Sequence, residues 1–409
     1  MAFFRAVSPL ERTYFYHDHQ QIMPACVTAF VKGQGEFALG DLYRAAQKVL
    51  AANPGYGLKR RGRLRFSRWD DSVTVEEAVE IIELDNDIDP EQEGPVADFI
   101  TRPFDARQGK LIRIFLRSGD PCYLIFQVHH SLSDGSGGYF FVEEFFRALR
   151  AEPLKGSEYS INELEVCQQH QAGKIQMIDG RVKNLFVADT SLAAEPLKPM
   201  WAKVHVPIED QQFISKCLKA FTQVGDAQLD GKARFRVTVD LRRYLREALA
   251  TDENDIITVA NASTGIDLDV PKHNSAADIH RDLVHKLKSK AALFLPPAAL
   301  VEAAKWVPSK INGSSEQSAL AAYQRNGLVR NATLSHLGWR SKYRYVAPNF
   351  RPDYIYNIPP FFRRSPLFLT SIFNEDGLWL CATAPKMFAA NGQLQKVLAD
   401  VAEMLVSDQ

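Results

Sequence analysis

The chain has 409 residues, with 49 basic and 49 acidic side chains and a formal net charge of zero. A hydrophobic content of 46% with 11% aromatics can bury cores and excludes a disordered chain, and the neutral balance argues against a generic nucleic-acid binder. Length suggests two or three units of ordinary domain size. No stretch approaches the roughly 20 apolar residues of a membrane span, so none is expected. The apolar start at Met1 is broken by Arg5, with Glu11 and Arg12 following, and does not read as a signal peptide. Cys26, Cys122, Cys167, Cys217 and Cys381 are scattered, with no Cys-x-x-Cys pair. This argues against a disulfide framework or a zinc site, and a reducing cytoplasm is the expectation.

In chain order, residues 1–150 alternate between strand and helix patterns. Asp41 stands where it could cap a helix whose apolar positions Leu42, Ala45, Ala46, Val49 and Leu50 share one face, and Asn53-Pro54-Gly55 stops it. Leu111–Leu116 and Tyr123–Val128 read as strands joined by the turn Ser118-Gly-Asp-Pro121. Tyr139–Leu149 reads as a helix. Residues 151–200 are polar and weakly periodic and suggest a crossover. The second half resumes with a strand over Ala233–Val239 and a helix near Ala276–Ala292 with a basic face. It closes with strands Leu367–Phe373 and Leu378–Thr383 around the turn Asn374-Glu-Asp-Gly377, and a helix over about Gly392–Val406. The expected division is 1–165, a crossover over 166–200, and 201–409.

One constellation carries chemistry. Val128 ends an apolar strand, and His129-His130-Ser-Leu-Ser-Asp134-Gly135 follows at once. Adjacent residues leaving a strand point to opposite sides, so one histidine can reach a cleft while the other packs inward. An imidazole titrates near neutral pH and can take a proton from an attacking hydroxyl or amine. Asp134 suits an ion pair that holds the loop, and Gly135 suits a sharp turn or room for a ligand. An isolated His-His pair is more often structural; Asp and Gly at fixed offsets after a strand reverse that preference.

This arrangement resembles the HHxxxDG superfamily of CoA-dependent acyltransferases, which includes chloramphenicol acetyltransferase, alcohol acetyltransferases and condensation domains. Supporting segments run through most of the chain: Ser8-Pro9-Leu10-Glu11, Asn53-Pro54, Pro103-Phe104-Asp105 with Gly109–Arg113, Val239-Asp240-Leu241-Arg242-Arg243-Tyr244-Leu245, and Ser335-His336-Leu337-Gly338. The resemblance implies an α/β (α+β) fold of two chloramphenicol-acetyltransferase-like subdomains of mixed sheet and helices, forming a V with a central channel. It implies His130 as general base, with Asp134 paired to an arginine of the other half, Arg242 before Arg243, and Ser335 as an oxyanion donor. It implies acyl-CoA or an acyl-phosphopantetheine carrier protein as co-substrate, an alcohol or amine acceptor, no tightly bound cofactor, no metal, and a monomer. A stand-alone condensation domain and a non-catalytic recruiting domain are the alternatives. The "DFGWG" segment of plant acyltransferases is absent, Val259-Ala-Asn-Ala-Ser263 stands only near the place of the condensation-domain "FVNT" strand, and the "SNLG" asparagine is His336.

Other signals weigh less. Gly135-Ser-Gly137-Gly138 lacks the third glycine of a dinucleotide loop, since Phe140 stands there. Asp85-Asn-Asp87-Ile-Asp89 lacks the turn glycine and final acid of a calcium loop. Arg281, His285, Lys286, Lys288 and Lys290 read as a solvated helix face before a phosphate site. His17 and His19 have no supporting ligand cluster.

Overall fold

The computed structural model describes residues 5–19, 23–71, 73–106, 108–170, 180–188, 195–249, 258–293, 306, 316–324, 327–363 and 365–407. The strands are β1 (Arg5–Ala6), β2 (Cys26–Gly35), β3 (Lys59–Arg61), β4 (Arg68–Asp70), β5 (Val79–Glu83), β6 (Gly94–Pro95), β7 (Ile112–Arg117), β8 (Cys122–His129), β9 (Pro199–Val206), β10 (Lys232–Asp240), β11 (Ser263–Pro271), β12 (Ala332–Trp339), β13 (Phe350–Ile358), β14 (Phe368–Asn374) and β15 (Gly377–Pro385). They form a five-stranded sheet ordered β13-β2-β8-β7-β5, a seven-stranded sheet ordered β11-β10-β12-β14-β15-β9-β6, and a small sheet ordered β1-β4-β3. The longer helices are α1 (Pro9–His19), α2 (Leu39–Ala52), α3 (Gly135–Leu149), α4 (Glu163–Gln169), α5 (Phe213–Val224), α6 (Arg242–Leu249), α7 (Ala276–Lys288), α8 (Glu316–Gln324) and α9 (Gln393–Ser407). The mixed α/β class matches the expectation.

β8 lies at the centre of the first sheet, and every one of its residues is buried. Its uninterrupted apolar run reflects covering on both faces. Leu124, Phe126 and Val128 pack toward α2 and α3, which contribute Val49, Phe141 and Phe145 to one core. Tyr123 and Ile125 pack the other way, against Trp201 and Cys381 of the second sheet. The opposed faces follow from the two-residue period of a strand.

The helix expected from Asp41 begins earlier, at Leu39, and its N-cap is Ala38, with no side-chain hydrogen bond. Asp41 lies inside the first turn and pairs with exposed Arg44. Leu42, Ala45, Ala46 and Val49 are buried, so the apolar stripe is right and the capping role is not. At the other end the Asn53 amide donates to the Val49 carbonyl at 3.0 Å. The helix expected from Tyr139 starts four residues sooner, at Gly135, because Asp134 caps it. The region expected to be a plain crossover contains α4 and the start of β9; residues 171–179 and 189–194 lie outside the described residues. The five cysteines are buried, and none is joined in a disulfide among the described residues.

Two strands cross the expected division. β13 leaves the second half and pairs antiparallel with β2 from Phe350–Gly35 to Ile358–Thr28. β6 leaves the first half and pairs with β9. The seam they create buries Phe30, Tyr356, Trp201 and Ile358 together. Beside it Glu91 accepts from Lys32 at 2.7 Å and also pairs with Lys203, whose ammonium lies 4.3 Å from the Tyr356 ring centroid. Burial would push the Glu91 carboxyl up, but bonds from Lys203 and Lys32 outweigh it and hold it down to about 2.

The second sheet has two unlike faces. On β10, Ala233, Phe235, Val237 and Val239 join the core beneath α5, α7 and α9. Arg234, Arg236, Thr238 and Asp240 alternate onto the opposite face, as do Ser263, Gly265, Asp267 and Asp269 on β11. Leu337 and Ile372, from β12 and β14, belong instead to the core of the first half. The polar face of β10 and β11 is therefore the continuation of the surface on which the halves meet.

His336, on the helix-covered side of β12, shares a hydrogen bond with the Ser371 hydroxyl at 2.9 Å and lies against Phe213 and Phe373. Burial, reinforced by the Arg340 charge, lowers its pKa from 6.5 to about 4. The unfolded chain therefore takes up a proton at a higher pH than the native one does. His336 by itself is expected to withdraw about 3 kcal/mol of stability as pH drops from 6.5 to 4, read as the difference between wild type and variant. Urea unfolding of His336→Gln beside wild type across that window measures this; an equal loss in the variant would exclude His336 as the source.

Candidate active site

The motif opens where β8 ends. The His129 amide donates to the Leu111 carbonyl at 3.0 Å and the His130 amide to the Ala25 carbonyl at 2.8 Å, so both backbones are fixed by the sheet. The side chains then diverge. His129 is fully buried, stacked on Phe15 with centroids 5.5 Å apart and edge-on to Phe104 at 5.4 Å. Its Nδ1 lies 2.6 Å from the Ser131 hydroxyl. His130 is only partly buried and stacks on Tyr14 of α1, with centroids 5.3 Å apart. The histidine pair thus separates into an inner member held by apolar rings and an outer member at the meeting of the halves.

Asp134 does not reach toward the histidines. It is 2% exposed, and three donors hold it: the Gly137 amide on Oδ1 at 2.9 Å, and on Oδ2 the Arg242 guanidinium and the Ala262 amide, each at 2.8 Å. Arg242 spends all five of its N–H donors, on Asp134, Asp240, the Ala260 carbonyl and, twice, the Thr258 carbonyl. Burial disfavours its charge, yet the carboxylates of Asp134 and Asp240 prevail and raise its pKa above the ordinary arginine value. Arg243 is turned outward over the Tyr244 ring. Of the two arginines, only Arg242 pairs with Asp134 among the described contacts.

The motif glycines answer to packing. Gly135 sits in the first helical turn with no left-handed φ, which corrects the expectation of a sharp turn. The space beside it is filled by Leu337, whose Cδ2 would lie 2.5 Å from an added Cβ. A Cβ on Gly137 would lie 2.1 Å from the Ser133 hydroxyl, 2.8 Å from the Val259 carbonyl and 3.2 Å from the Arg242 guanidinium. The glycine run lets Arg242 and the 258–262 segment come close; it does not leave a phosphate cradle.

Asn261 is the residue that motif reading passed over. Its side-chain amide donates to the His130 carbonyl at 3.0 Å, while its oxygen accepts from the Ser263 amide at 3.2 Å and the Ser263 hydroxyl at 2.9 Å. It also bonds the Tyr14 hydroxyl, whose pKa burial and the nearby Glu163 carboxylate raise. The available signal was its place in Val259-Ala-Asn-Ala-Ser263. Asp134 thereby holds the Ala262 amide, and the neighbouring Asn261 holds His130, so the second half grips the histidine through its backbone. Behind Tyr14, Glu163 accepts from the Ser8 hydroxyl at 2.8 Å, and burial together with the Glu11 charge raises its carboxyl far above the usual range.

Ser335 lies on the polar face of β12, where its hydroxyl accepts from Thr238 at 3.1 Å. The acidic run at Asp85–Asp89 forms a loop in which Asp89 accepts from the Glu91 amide. Among the described residues there is no cluster of metal-ligating side chains, and no helix is long and apolar enough to cross a membrane. The side chains of His17 and His19 lie outside the described residues. On α7, Arg281 pairs with Asp278, and Lys286 donates to the Asp267 carbonyl at 2.7 Å.

No family model and no curated protein matches the chain. Solved structures do match across its whole length. The epimerization domain from the third module of tyrocidine synthetase B aligns with a TM-score of 0.62 and 11% identity, covering 100% of this chain and 97% of that one. Polyketide synthase associated protein 5 from Mycobacterium tuberculosis gives 0.63 and 13%, covering 99% and 98%. A mutant starter condensation domain of rhizomide synthetase, in complex with C8-CoA and Leu-SNAC, gives 0.64 and 10%, covering 99% and 94%.

Proposed function

We infer that this chain, which has the two-subdomain fold of condensation and epimerization domains and so of the chloramphenicol-acetyltransferase-like superfamily, is an acyl-transferring enzyme. We propose that it transfers an acyl group from a thioester, on CoA or on the phosphopantetheine arm of a carrier protein, to an alcohol or amine. The carrying observation is the divergence of the histidine pair. His129 is buried among rings, while His130 is presented at the meeting of the halves with its carbonyl held by Asn261.

In this reaction the acceptor X–H yields its proton to the His130 imidazole as X bonds to the thioester carbonyl carbon. The tetrahedral oxyanion needs fixed donors nearby, and the Ser335 hydroxyl is the candidate. Collapse breaks the C–S bond, and the departing thiolate takes the proton back from the imidazolium. No acyl-enzyme forms. Asp134 and Arg242 have no part in the proton transfer; they fix the 258–262 segment that positions His130.

A condensation reaction between carrier-bound substrates is the second reading, favoured by the condensation domains among the structural neighbours. Incubation with paired panels of acyl-CoA and acyl-carrier donors, with product masses recorded, separates the two. Ester or amide formed from free acyl-CoA supports the first, and product formed only from acyl-carrier supports the second. No transfer from any donor would overturn both.

A further inference from the structure

Arg242 and Arg236 make a useful contrast, since both stand on the surface where the halves meet. Arg242 spends every donor it has. Arg236, on the polar face of β10, spends one: Nη2 donates to Asp267 Oδ2 at 3.0 Å, and no other acceptor is found for it among the described residues. Its Nε is buried without a hydrogen-bond partner. Asp267 does not need it. Arg330 already takes both Asp267 oxygens, through Nε on Oδ1 and through Nη2 on Oδ2 at 3.1 Å.

The surplus is electrostatic as well as geometric. Three cations, Arg236, Arg330 and Lys286, face two carboxylates, Asp267 and Asp282, which leaves one positive charge over. Burial, with the Arg330 charge beside it, lowers the Arg236 pKa, so this cation stands in a partly dehydrated setting that an anion would relieve. Its side chain is 31% exposed.

The direction of the side chain places it near His130. An added Cβ at Gly265 would meet Arg236 Cγ at 2.7 Å, Cδ at 2.8 Å and Nε at 3.0 Å. Gly265 lies nearer the start of β11 than Asp267, the residue paired with Arg236, so Arg236 leans toward the end of β11 that begins at Ser263. Ser263 bonds Asn261, and Asn261 holds His130. The Tyr14 phenol lies close enough to act on the Arg236 charge, and its ring stacks on the His130 imidazole.

We infer that Arg236 is a binding residue for a carboxylate carried by one of the two substrates, held beside Tyr14 while the reacting atoms meet at His130. A single surplus charge matches a monoanion, and a guanidinium with unspent donors can grip the planar carboxylate by more than one of them. The inference deepens the acyl-transfer reading by naming a substrate class.

Product-like probes test it without turnover. One arm carries the acid on the amine side, as N-octanoyl-glycine, -leucine and -phenylalanine, each beside its primary amide. The other carries it on the acyl side, as suberic acid mono-isobutylamide beside its neutral diamide. Calorimetric titration of wild type is expected to show at least about tenfold tighter binding of acid than amide in one arm. Preference in the first arm puts the carboxylate on the acceptor, and in the second on the acyl donor. Arg236→Gln is expected to bring that ratio below about threefold while the amide binds as before, which also shows that the fold is intact. If that variant fails to fold, Arg330→Gln, which removes the surplus charge and leaves Arg236 on Asp267, is expected to erase the preference too. Wild type without acid preference in either arm, or a folded Arg236→Gln that keeps it, would overturn the inference. Acid preference that persists without transfer from any donor would instead count against acyl transfer alone.

Discussion

His130→Ala is expected to lower acyl transfer by about 100-fold or more, the usual contribution of a positioned general base. The fold should survive, because the imidazole is only partly buried and the backbone on either side of it is held independently. The His130 amide and carbonyl keep their bonds to Ala25 and Asn261, and the inner histidine keeps its bed of Phe15 and Phe104. The comparison with His129→Ala sharpens the test. That change empties a fully buried site between two aromatic rings and is expected to cost stability first and activity as a consequence. Initial rates, with near-ultraviolet circular dichroism as the control on folding, measure both variants. Turnover near wild type in His130→Ala would remove the proposed mechanism.

Arg242→Ala is expected to destabilise the protein by about 3–5 kcal/mol, the range for breaking a buried ion pair from one side. It leaves Asp134 buried with one charge and no cation, and it strips the Thr258 and Ala260 carbonyls of their donor. Asp134→Asn should cost less. Asparagine still caps a helix, and Arg242 retains Asp240 and its carbonyl partners. Denaturant unfolding of the two single variants and the double variant gives the coupling, which should be favourable because the pair shares one network. A cost for Arg242→Ala within about 0.5 kcal/mol, the scatter of surface substitutions, would show that the pair does not hold the halves together.

The parts of this fold that were readable in the sequence are those in which a local pattern faces a local demand. β8 is an apolar run because both faces are covered, and its last residue and the one after it are the histidines, so strand and motif announce each other. The hairpin of β14 and β15 was readable for the same reason: its turn is Asn374–Gly377 and its strands are apolar. Asp41 misled because a carboxylate near a helix start is favourable in the first turn as well as at the cap, and periodicity does not separate the two. The pairing of β13 with β2 was beyond local reading, since no feature of Phe350–Ile358 says which distant strand edge will receive it. Asn261 was hidden differently. Its task is to hold a backbone carbonyl, and one asparagine suffices for that without any recurring neighbours. Arg236 was hidden among strand residues of alternating polarity, and only the count of donors spent sets it apart from Arg242.

The exchange of edge strands bears on what counts as a folding unit here. β13 lies along the outer edge of β2, supplying hydrogen bonds over the length of that strand. A fragment ending between the halves would therefore leave β2 as a bare edge of ten residues, six of them buried in succession in the whole chain. Such an edge invites pairing with another copy. In strand pairing, the second half would lose only the short β6 cover at the end of its sheet. Dependence is thus one-sided: the half that carries the histidines needs a strand made after nearly all the rest of the chain has been synthesised. On a ribosome, His130 would emerge long before the sheet that holds it could be completed.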